Sequence, residues 1–278
     1  WLVSGQGGGG LVVKFVKRDG HTAPADAIPE SMMRAWQQAA ISPKVPTYVC
    51  LDAAIQENES EGKFEFPNVE RFLPAPAVGP SRESLSQLTA LIQDALQPVF
   101  LIGKCNFEEQ DWVNRISLVE QTKGKMLTDL KTHSVVPTNH PRHVGEPFNK
   151  LGKSGREAIQ RADLIVSLGW VDLGGVFRQA LGANPVTAKV VHVNQDMHLH
   201  NGWGRETFQL PPTDLLIVAD PDETVRELIG ELGIHPKLGE NLESVPEFPG
   251  FGGHLNLVDV ARELLTAVGS QKVSFASL

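Results

Sequence analysis

Short apolar runs alternate with amphipathic stretches between residues 98 and 222. Four of these runs are rich in β-branched residues and bounded by Gly, Pro or Asp, at 98–103, 163–169, 189–194 and 214–220. Apolar runs of four to seven residues without polar alternation predict strands that are buried on both faces. Because helical stretches separate these runs, the pattern predicts an α/β fold built on a doubly wound, parallel, Rossmann-like sheet.

Amphipathic periodicity predicts further helices, and shorter apolar runs predict flanking strands. The predicted helices span 25–42, 85–96, 107–122 and 254–269, and the predicted flanking strands span 11–16, 45–53 and 272–278. Ser81 or Ser84 is expected to cap the helix over 85–96, because a serine hydroxyl can accept a hydrogen bond from a free N–H group of the first turn.

Two stretches rich in charge, proline or glycine lack any apolar period and predict linkers. The regions they define are 1–57, a linker over 58–81, a central Rossmann-like domain over 82–232, a linker over 233–253, and 254–278. The two outer regions are too short to form cores of their own, so we expect each to belong to an incomplete flanking domain. The chain begins with Trp1 in place of Met, and we expect that this is not the natural start.

Composition narrows the class of protein. Of 278 residues, 41% are hydrophobic and 21% are charged, which is typical of a soluble globular protein. The net charge of −8 disfavours a nucleic-acid binder, and no apolar run is long enough to span a membrane. Two cysteines are too few for a disulfide framework and fit a reducing cytosol, so a cytoplasmic location is expected.

The turns that follow the predicted strands are the candidate ligand site, because doubly wound sheets bind ligands outside the carboxyl ends of their strands. The candidate binding residues are Gly103, Lys104, Gly169, Trp170, Asn194 and Asp196. Lys104 could pair with a phosphate, Trp170 could stack on an aromatic ring, and Asp196 could accept hydrogen bonds from ribose hydroxyls. A scaffold domain that binds nothing is the alternative interpretation.

Two other motifs are of residue types that can bind ligands. Gly5-x-Gly7-x-x-Gly10 formally matches the dinucleotide fingerprint, but a strand pattern follows it where a helix is required, so a loop is predicted. Histidines cluster at positions 133, 140, 143, 192, 198 and 200. His-x-His can ligate zinc, but no cysteine or carboxylate lies at metal-site spacing, and no metal site is predicted.

The sequence predicts no catalytic residue. Asp172 with His192 or Lys131 could form a catalytic pair, but nothing in the sequence fixes their geometry. No Gly-x-Ser-x-Gly motif is present. Cys50 lies in an apolar strand and is expected to be buried and inert, whereas Cys105 at a strand end is the more reactive candidate.

The order of several segments resembles thiamine-diphosphate (ThDP) dependent enzymes of the acetolactate synthase and benzoylformate decarboxylase type. The matching segments are 46–57, 98–104, 132–145, 162–175, 189–196 and 215–228. The resemblance implies that the first segment is the last strand of a pyrimidine-binding domain and that the others form a six-stranded parallel central domain. It also implies that 254–278 opens a pyrophosphate-binding domain.

The resemblance implies a decarboxylase or carboligase that acts on 2-oxo acids with ThDP and Mg²⁺, as a homodimer or homotetramer. The family's GDG…N motif, whose Asp and Asn ligate the metal beside the diphosphate, is absent from this sequence. The glutamate that protonates the aminopyrimidine would lie before Trp1. We therefore expect that this segment links the cofactor-binding domains and does not perform ThDP chemistry alone.

Some members of the family hold FAD or ADP in the central domain. Flavin-binding members tend to be glycine-rich after the first strand, whereas this chain has Gly103-Lys104-Cys105, which argues against FAD. A free-standing nucleotide-binding or scaffold module without catalysis is the second hypothesis. An NAD-dependent deacylase is disfavoured, because neither a Gly-Ala-Gly turn nor a His-Gly pair is present.

Overall fold

A computed structural model gives the architecture of the chain. It describes residues 12–13, 15–22, 25–57, 59, 66–128, 132, 134–145, 150–196, 210–237 and 257–269. Within these residues, a two-stranded parallel sheet is followed in sequence by a five-stranded parallel sheet with helices on both faces. The α/β fold class with a parallel sheet is thereby confirmed.

The N-terminal part is a small βαβ unit. Strands β1 (Arg18–Thr22) and β2 (Thr47–Leu51) pair in parallel, and helix α1 (Ile28–Ala40) connects them. The helix predicted over 25–42 and the strand predicted over 45–53 are confirmed. The strand predicted over 11–16 is wrong: Phe15 N–H donates to Val12 O in a turn, and β1 begins where pairing with β2 becomes possible.

Two short helical elements and one regular helix connect this unit to the central sheet. They are α2 (Ala53–Glu57), a 3-10 turn (Val69–Phe72) and α3 (Arg82–Asp94). Of the two serines proposed as caps, Ser81 is the cap of α3, because its Oγ accepts a hydrogen bond from Ser84 N at 3.1 Å. The helix therefore begins three residues earlier than the apolar pattern predicted.

The central sheet follows, and a separate helix ends the described chain. The elements in order are β3 (Pro98–Ile102), α4 (Glu109–Gln121), β4 (Lys125–Thr128), α5 (Lys153–Arg161), β5 (Leu164–Leu168), α6 (Leu173–Leu181), β6 (Lys189–Val193), β7 (Leu215–Ile217), α7 (Pro221–Glu231) and α8 (Leu257–Val268). Strand β4 was not predicted, because its four residues begin with a lysine and are too few to show a period.

The strand order is β4-β3-β5-β6-β7, with every pair parallel. A single parallel bridge extends the sheet beyond β4, where Met126 N–H donates to Arg142 O and Val144 N–H donates to Met126 O, both at 2.9 Å. If this bridge is counted as the third strand, the order is 3-2-1-4-5-6, the classic dinucleotide-binding order. The six-stranded domain that the resemblance implied therefore appears, in the described residues, as five strands and one bridge.

Alternation along β3 shows how the sheet is covered. Phe100 and Ile102 pack in a core that includes residues of α3, α4 and α7, whereas Val99 and Leu101 pack in a second core with residues of α5 and α6. Both faces are buried, which explains the continuous apolar runs of the sequence. None of the helices among the described residues has the length and apolarity needed to cross a membrane.

Candidate functional site

The strand order reverses between β3 and β5, the position where doubly wound folds bind ligands. Gly103 follows β3 and Gly169 follows β5, and their backbones lie in contact. A Cβ atom on Gly103 would overlap the carbonyl oxygen of Gly169, and one on Gly169 would lie 2.5 Å from Lys104 O. Gly169 also has φ +66°, so glycine is required here for both space and conformation.

Main-chain hydrogen bonds close this edge of the sheet. Gly103 N–H donates to Leu168 O and Lys104 N–H donates to Gly169 O, both at 2.9 Å. Gly169 N–H donates to Val193 O at 2.8 Å. A phosphate at this position would therefore find these three donors already paired with a neighbouring strand.

The structure places Trp170 in the hydrophobic core. Its side chain is only 4% exposed and belongs to the same cluster as Leu173 and Phe177 of α6. The indole therefore packs α6 against the sheet, and it offers no open ring face on which a ligand could stack. The sequence pattern around Trp170 did not distinguish these two roles.

The other predicted binding residues also follow strands at this edge of the sheet. Lys104 is exposed, and Asn194 is buried at the end of β6. Asn194 Oδ1 accepts a hydrogen bond from Asp196 N–H at 2.9 Å, which fixes the turn after β6. Among the six candidates, Lys104 and Asp196 are thus the two charged side chains outside the core, and their binding roles remain predictions.

The residues proposed as a catalytic pair have structural partners. Asp172 caps α6, since its Oδ1 accepts from Gly175 N–H at 3.0 Å. His192 is buried on β6, with Nδ1 2.9 Å from Ser167 Oγ on β5 and Nε2 3.4 Å from Asn194 Nδ2. Lys131 lies outside the described residues. Both described members of the pair, Asp172 and His192, are thus already engaged in hydrogen bonds that fix a helix end and two neighbouring strands.

The surroundings of Cys105 disfavour its thiolate form. Burial, reinforced by the nearby charge of Asp222, raises the pKa of the Cys105 thiol far above its ordinary value. The thiolate is the nucleophilic form, so this environment disfavours attack by Cys105, and its rank as the more reactive of the two cysteines stays a prediction. Cys50 was expected to be buried, and it is half-buried in β2.

Two of the clustered histidines support the bridge beside β4. His140 Nδ1 accepts from Arg142 N–H at 3.1 Å, so Nε2 carries the hydrogen and donates to Glu120 Oε1 at 3.0 Å. His143 Nε2 lies 2.9 Å from Thr128 Oγ1, and burial lowers the pKa of His143. His133, His198 and His200, like the Gly5–Gly10 motif and the strand predicted over 272–278, lie outside the described residues. The described part of the chain contains no metal-ligand group of three side chains.

A buried charged cluster near the end of β3 was missed from the sequence. Arg115 of α4 is fully buried and pairs with Asp222 of α7. Its Nε donates to Val135 O at 3.0 Å, and its Nη2 donates to Asn106 O at 2.9 Å. The available signal was helical periodicity, because Asp111 and Arg115 occupy the stripe of α4 that faces the core.

Comparison with known proteins identifies the family. The model described as "Thiamine pyrophosphate enzyme, central domain" matches residues 85–228, just over half of the chain. The chain belongs to the thiamine pyrophosphate enzyme family. The match begins in α3 and ends in α7, so it covers the whole five-stranded sheet.

Two acetolactate synthases have related sequences. The chain is 25% identical over 236 residues to acetolactate synthase of Mycobacterium leprae, covering 84% of this chain and 36% of that protein. It is 22% identical over 224 residues to the acetolactate synthase large subunit of Corynebacterium glutamicum, covering 79% and 34%. The chain therefore spans about a third of the length of these two relatives.

Solved structures share the fold. Benzoylformate decarboxylase of Polynucleobacter necessarius superposes with a TM-score of 0.61 at 19% identity, over 93% of this chain and 46% of that chain. The 4-hydroxybenzoylformate decarboxylase of Rhodococcus jostii gives 0.60 at 18% identity, over 94% and 47%. The chain spans just under half of each of these structures.

The residues that the structure describes do not fit the family's thiamine cofactor. The sequence has no Gly-Asp-Gly motif, and the strand-end amides at the order reversal donate within the sheet. A magnesium diphosphate needs hard oxygen ligands, and the described residues offer no group of three carboxylate or histidine side chains that could hold the metal. No step of thiamine chemistry is therefore assigned to residues of this chain.

Proposed function

We propose that this chain is the central, organising part of a ThDP-dependent enzyme that decarboxylates or ligates 2-oxo acids. The family match supports the class, and the names of the relatives support the substrate type, because benzoylformate is a 2-oxo acid. The observation that carries the organising role is the closed edge between β3 and β5, where Gly103 and Lys104 donate to the neighbouring strand. An edge whose amides are already hydrogen-bonded within the sheet is better suited to hold neighbouring regions rigidly than to bind a phosphate.

The proposed layout follows from this role. Residues 82–232 would hold the two cofactor-binding parts apart, with 1–57 and 254–278 belonging to those parts and 58–81 and 233–253 linking them. Contacts of the first linker on both sides support a fixed arrangement: Gln37 Nε2 of the first region donates to Phe72 O of the linker at 3.1 Å, and Asp220 N–H of the central domain donates to Val78 O of the linker at 2.8 Å. ThDP and Mg²⁺ would bind outside this chain's own residues, in a cytoplasmic homo-oligomer.

A second candidate function is the binding of ADP or FAD at the same edge of the sheet. It is favoured by the strand order and by two charged side chains, Lys104 for a phosphate and Asp196 for ribose hydroxyls. It is disfavoured by the paired amides and by the buried indole of Trp170.

Titration calorimetry of the 278-residue chain separates the two functions. ADP, FAD and ThDP with Mg²⁺ are titrated separately into the wild type and into the Lys104→Met variant. The organising role predicts no saturable binding of any of the three up to millimolar concentration. Saturable binding of ADP or FAD that Lys104→Met weakens would establish the second function instead, and saturable binding of ThDP would contradict the placement of the thiamine site outside this chain.

A further inference from the structure

A ring of hydrogen bonds joins the N-terminal unit to the central sheet. Ser42 and Lys44 lie in the connection between α1 and β2, whereas Asn106 follows β3. Asp220 caps α7, and Asp222 lies in the first turn of that helix. These three segments are distant in sequence, and together they contribute the five members of the ring.

Asn106 is the hub of this ring. Its main-chain N–H donates to Asp222 Oδ2 at 2.6 Å, and its carbonyl oxygen accepts from Arg115 Nη2 at 2.9 Å. Both polar atoms of its side chain are also hydrogen-bonded: Nδ2 donates to Asp111 Oδ2 at 3.2 Å, and Oδ1 accepts from Lys44 Nζ at 2.7 Å. Asn106 is hydrogen-bonded to four different residues, so it can hardly move without breaking several contacts at once.

Asp220 closes the ring on its other side. Its Oδ1 accepts from Asp222 N–H at 2.9 Å, and its Oδ2 accepts from Ser42 Oγ at 3.3 Å. The path therefore runs from Ser42 through Asp220, Asp222 and Asn106 to Lys44, two residues along the chain from where it began.

The two halves of the ring differ in burial. Asp220 and Asp222 are buried, and the fully buried Arg115 balances the charge of Asp222. Lys44 is exposed, and Ser42 is half-buried. The inner half is therefore costly to break, whereas the outer half rests on two accessible hydrogen bonds that can open and close.

We propose that this ring is a latch that couples the 103–108 loop to the docking of residues 42–44 on the central sheet. Lys44 and the buried Asp222 bind the same asparagine, so the loop and the docked segment open together. The loop carries Lys104, and the latch therefore sets the position of that cation at the carboxyl edge. This coupling is independent of whether the edge binds a nucleotide or nothing.

Hydrogen–deuterium exchange of the 278-residue chain, followed by mass spectrometry, tests the coupling. The variants are Lys44→Met, Ser42→Ala and Asn106→Ala, and the control is Lys153→Met, which removes another exposed lysine that, among the described residues, forms one ion pair, a 3.9 Å contact with Glu157. Loss of one accessible hydrogen bond should raise exchange about threefold to tenfold. We expect Lys44→Met to raise it both in 42–51 and in 103–108, and Lys153→Met to raise it in neither.

The exchange of residues 103–108 in the Lys44 and Ser42 variants decides whether the loop depends on docking. Exchange that rises only in 42–51 when Lys44 or Ser42 is changed would overturn the latch, because it would show that the loop does not depend on docking. The Lys44→Met/Asn106→Ala double variant should open 42–51 no further than Asn106→Ala alone, whereas an additive increase would also overturn it. Lys44→Met and Ser42→Ala keep the test valid even if Asn106→Ala fails to fold.

Discussion

Strands β2 and β3 have the same length and a similar apolar character, yet they differ completely in burial. All five residues of β3 are buried, and all five residues of β2 are only half-buried. Strand β3 lies inside a five-stranded sheet with helices on both faces, whereas β2, within the described part of the chain, pairs with β1 alone and contacts α1. An apolar run therefore specifies a strand, and the elements that cover it decide how much that strand stabilises the protein.

The comparison has a consequence for stability. Two-stranded sheets are marginally stable by themselves, because they bury little apolar surface. We therefore expect the unit of β1, α1 and β2 to depend on its contacts with the central region, which include the latch. The central sheet, with two hydrophobic cores, should hold most of the free energy of unfolding.

The largest effect should come from the buried charge of the central region. Arg115→Met leaves the Asp222 carboxylate buried without its partner, and breaking such a pair costs about 3–5 kcal/mol. Urea unfolding followed by circular dichroism measures the loss. Lys189→Met removes one partner of the more exposed ion pair between Lys189 and Asp214. This loss should cost less than about 1 kcal/mol. Equal losses for the two variants would show that burial does not set the value of the ion pair.

Matched leucine deletions compare the two strands directly. Leu101→Ala in β3 removes a fully buried side chain and should cost about 2–5 kcal/mol. Leu51→Ala in β2 removes a half-buried one and should cost about 1 kcal/mol, because less apolar surface is lost. The same urea titrations provide the measurement. A loss at Leu51 as large as the loss at Leu101 would mean that β2 belongs to an equally well-covered core.

Glycine substitutions test the close contact between the ends of β3 and β5. Gly103→Ala places a methyl group against the backbone of Gly169 and should destabilise the protein by about 1–3 kcal/mol. Gly230→Ala is the control, because no atom lies within 4 Å of a new methyl group there and alanine favours the α7 helix. Thermal unfolding should shift down for the first variant and slightly up for the second. An unchanged transition for Gly103→Ala would contradict the close contact of the two strand ends.

The smallest effect should come from protonation at the edge of the central sheet. Burial lowers the pKa of His143, so the unfolded chain binds a proton there more readily than the folded chain does. The stability that neutral His143 contributes is present above about pH 6.5 and is lost as the pH falls through the folded pKa. Unfolding free energies measured from pH 8 to pH 5 should therefore fall less steeply in His143→Gln. An identical slope in both proteins would show that this ring does not titrate differently on folding.

Much of the fold was predictable because it follows from local pattern. The runs at 98–103, 163–169, 189–194 and 214–220 each contain a strand of the central sheet. Strand β4 and the bridge at His143 were missed, since a four-residue strand and a single bridge leave no period in the sequence. The displaced β1 was missed for a different reason, because its position depends on pairing with β2.

The candidate site was less predictable, because its properties depend on contacts between distant residues. The amides of Gly103 and Lys104 are paired with a strand some 65 residues away, and no local pattern announces that pairing. Arg115 and Asp222 are 107 residues apart in the sequence. The sequence identified which strand ends come together, but only the packed structure shows which of their polar groups are already used.

A decarboxylation assay with 2-oxo acids most directly tests the proposal that this chain is part of an active ThDP-dependent enzyme. A panel that includes benzoylformate and pyruvate is assayed with ThDP and Mg²⁺, using the polypeptide purified from its native source and, in parallel, residues 1–278 alone. We expect cofactor-dependent release of CO₂ from the native preparation and none from the 278-residue chain. Activity of the 278-residue chain alone, or no activity in either preparation, would contradict the proposed role.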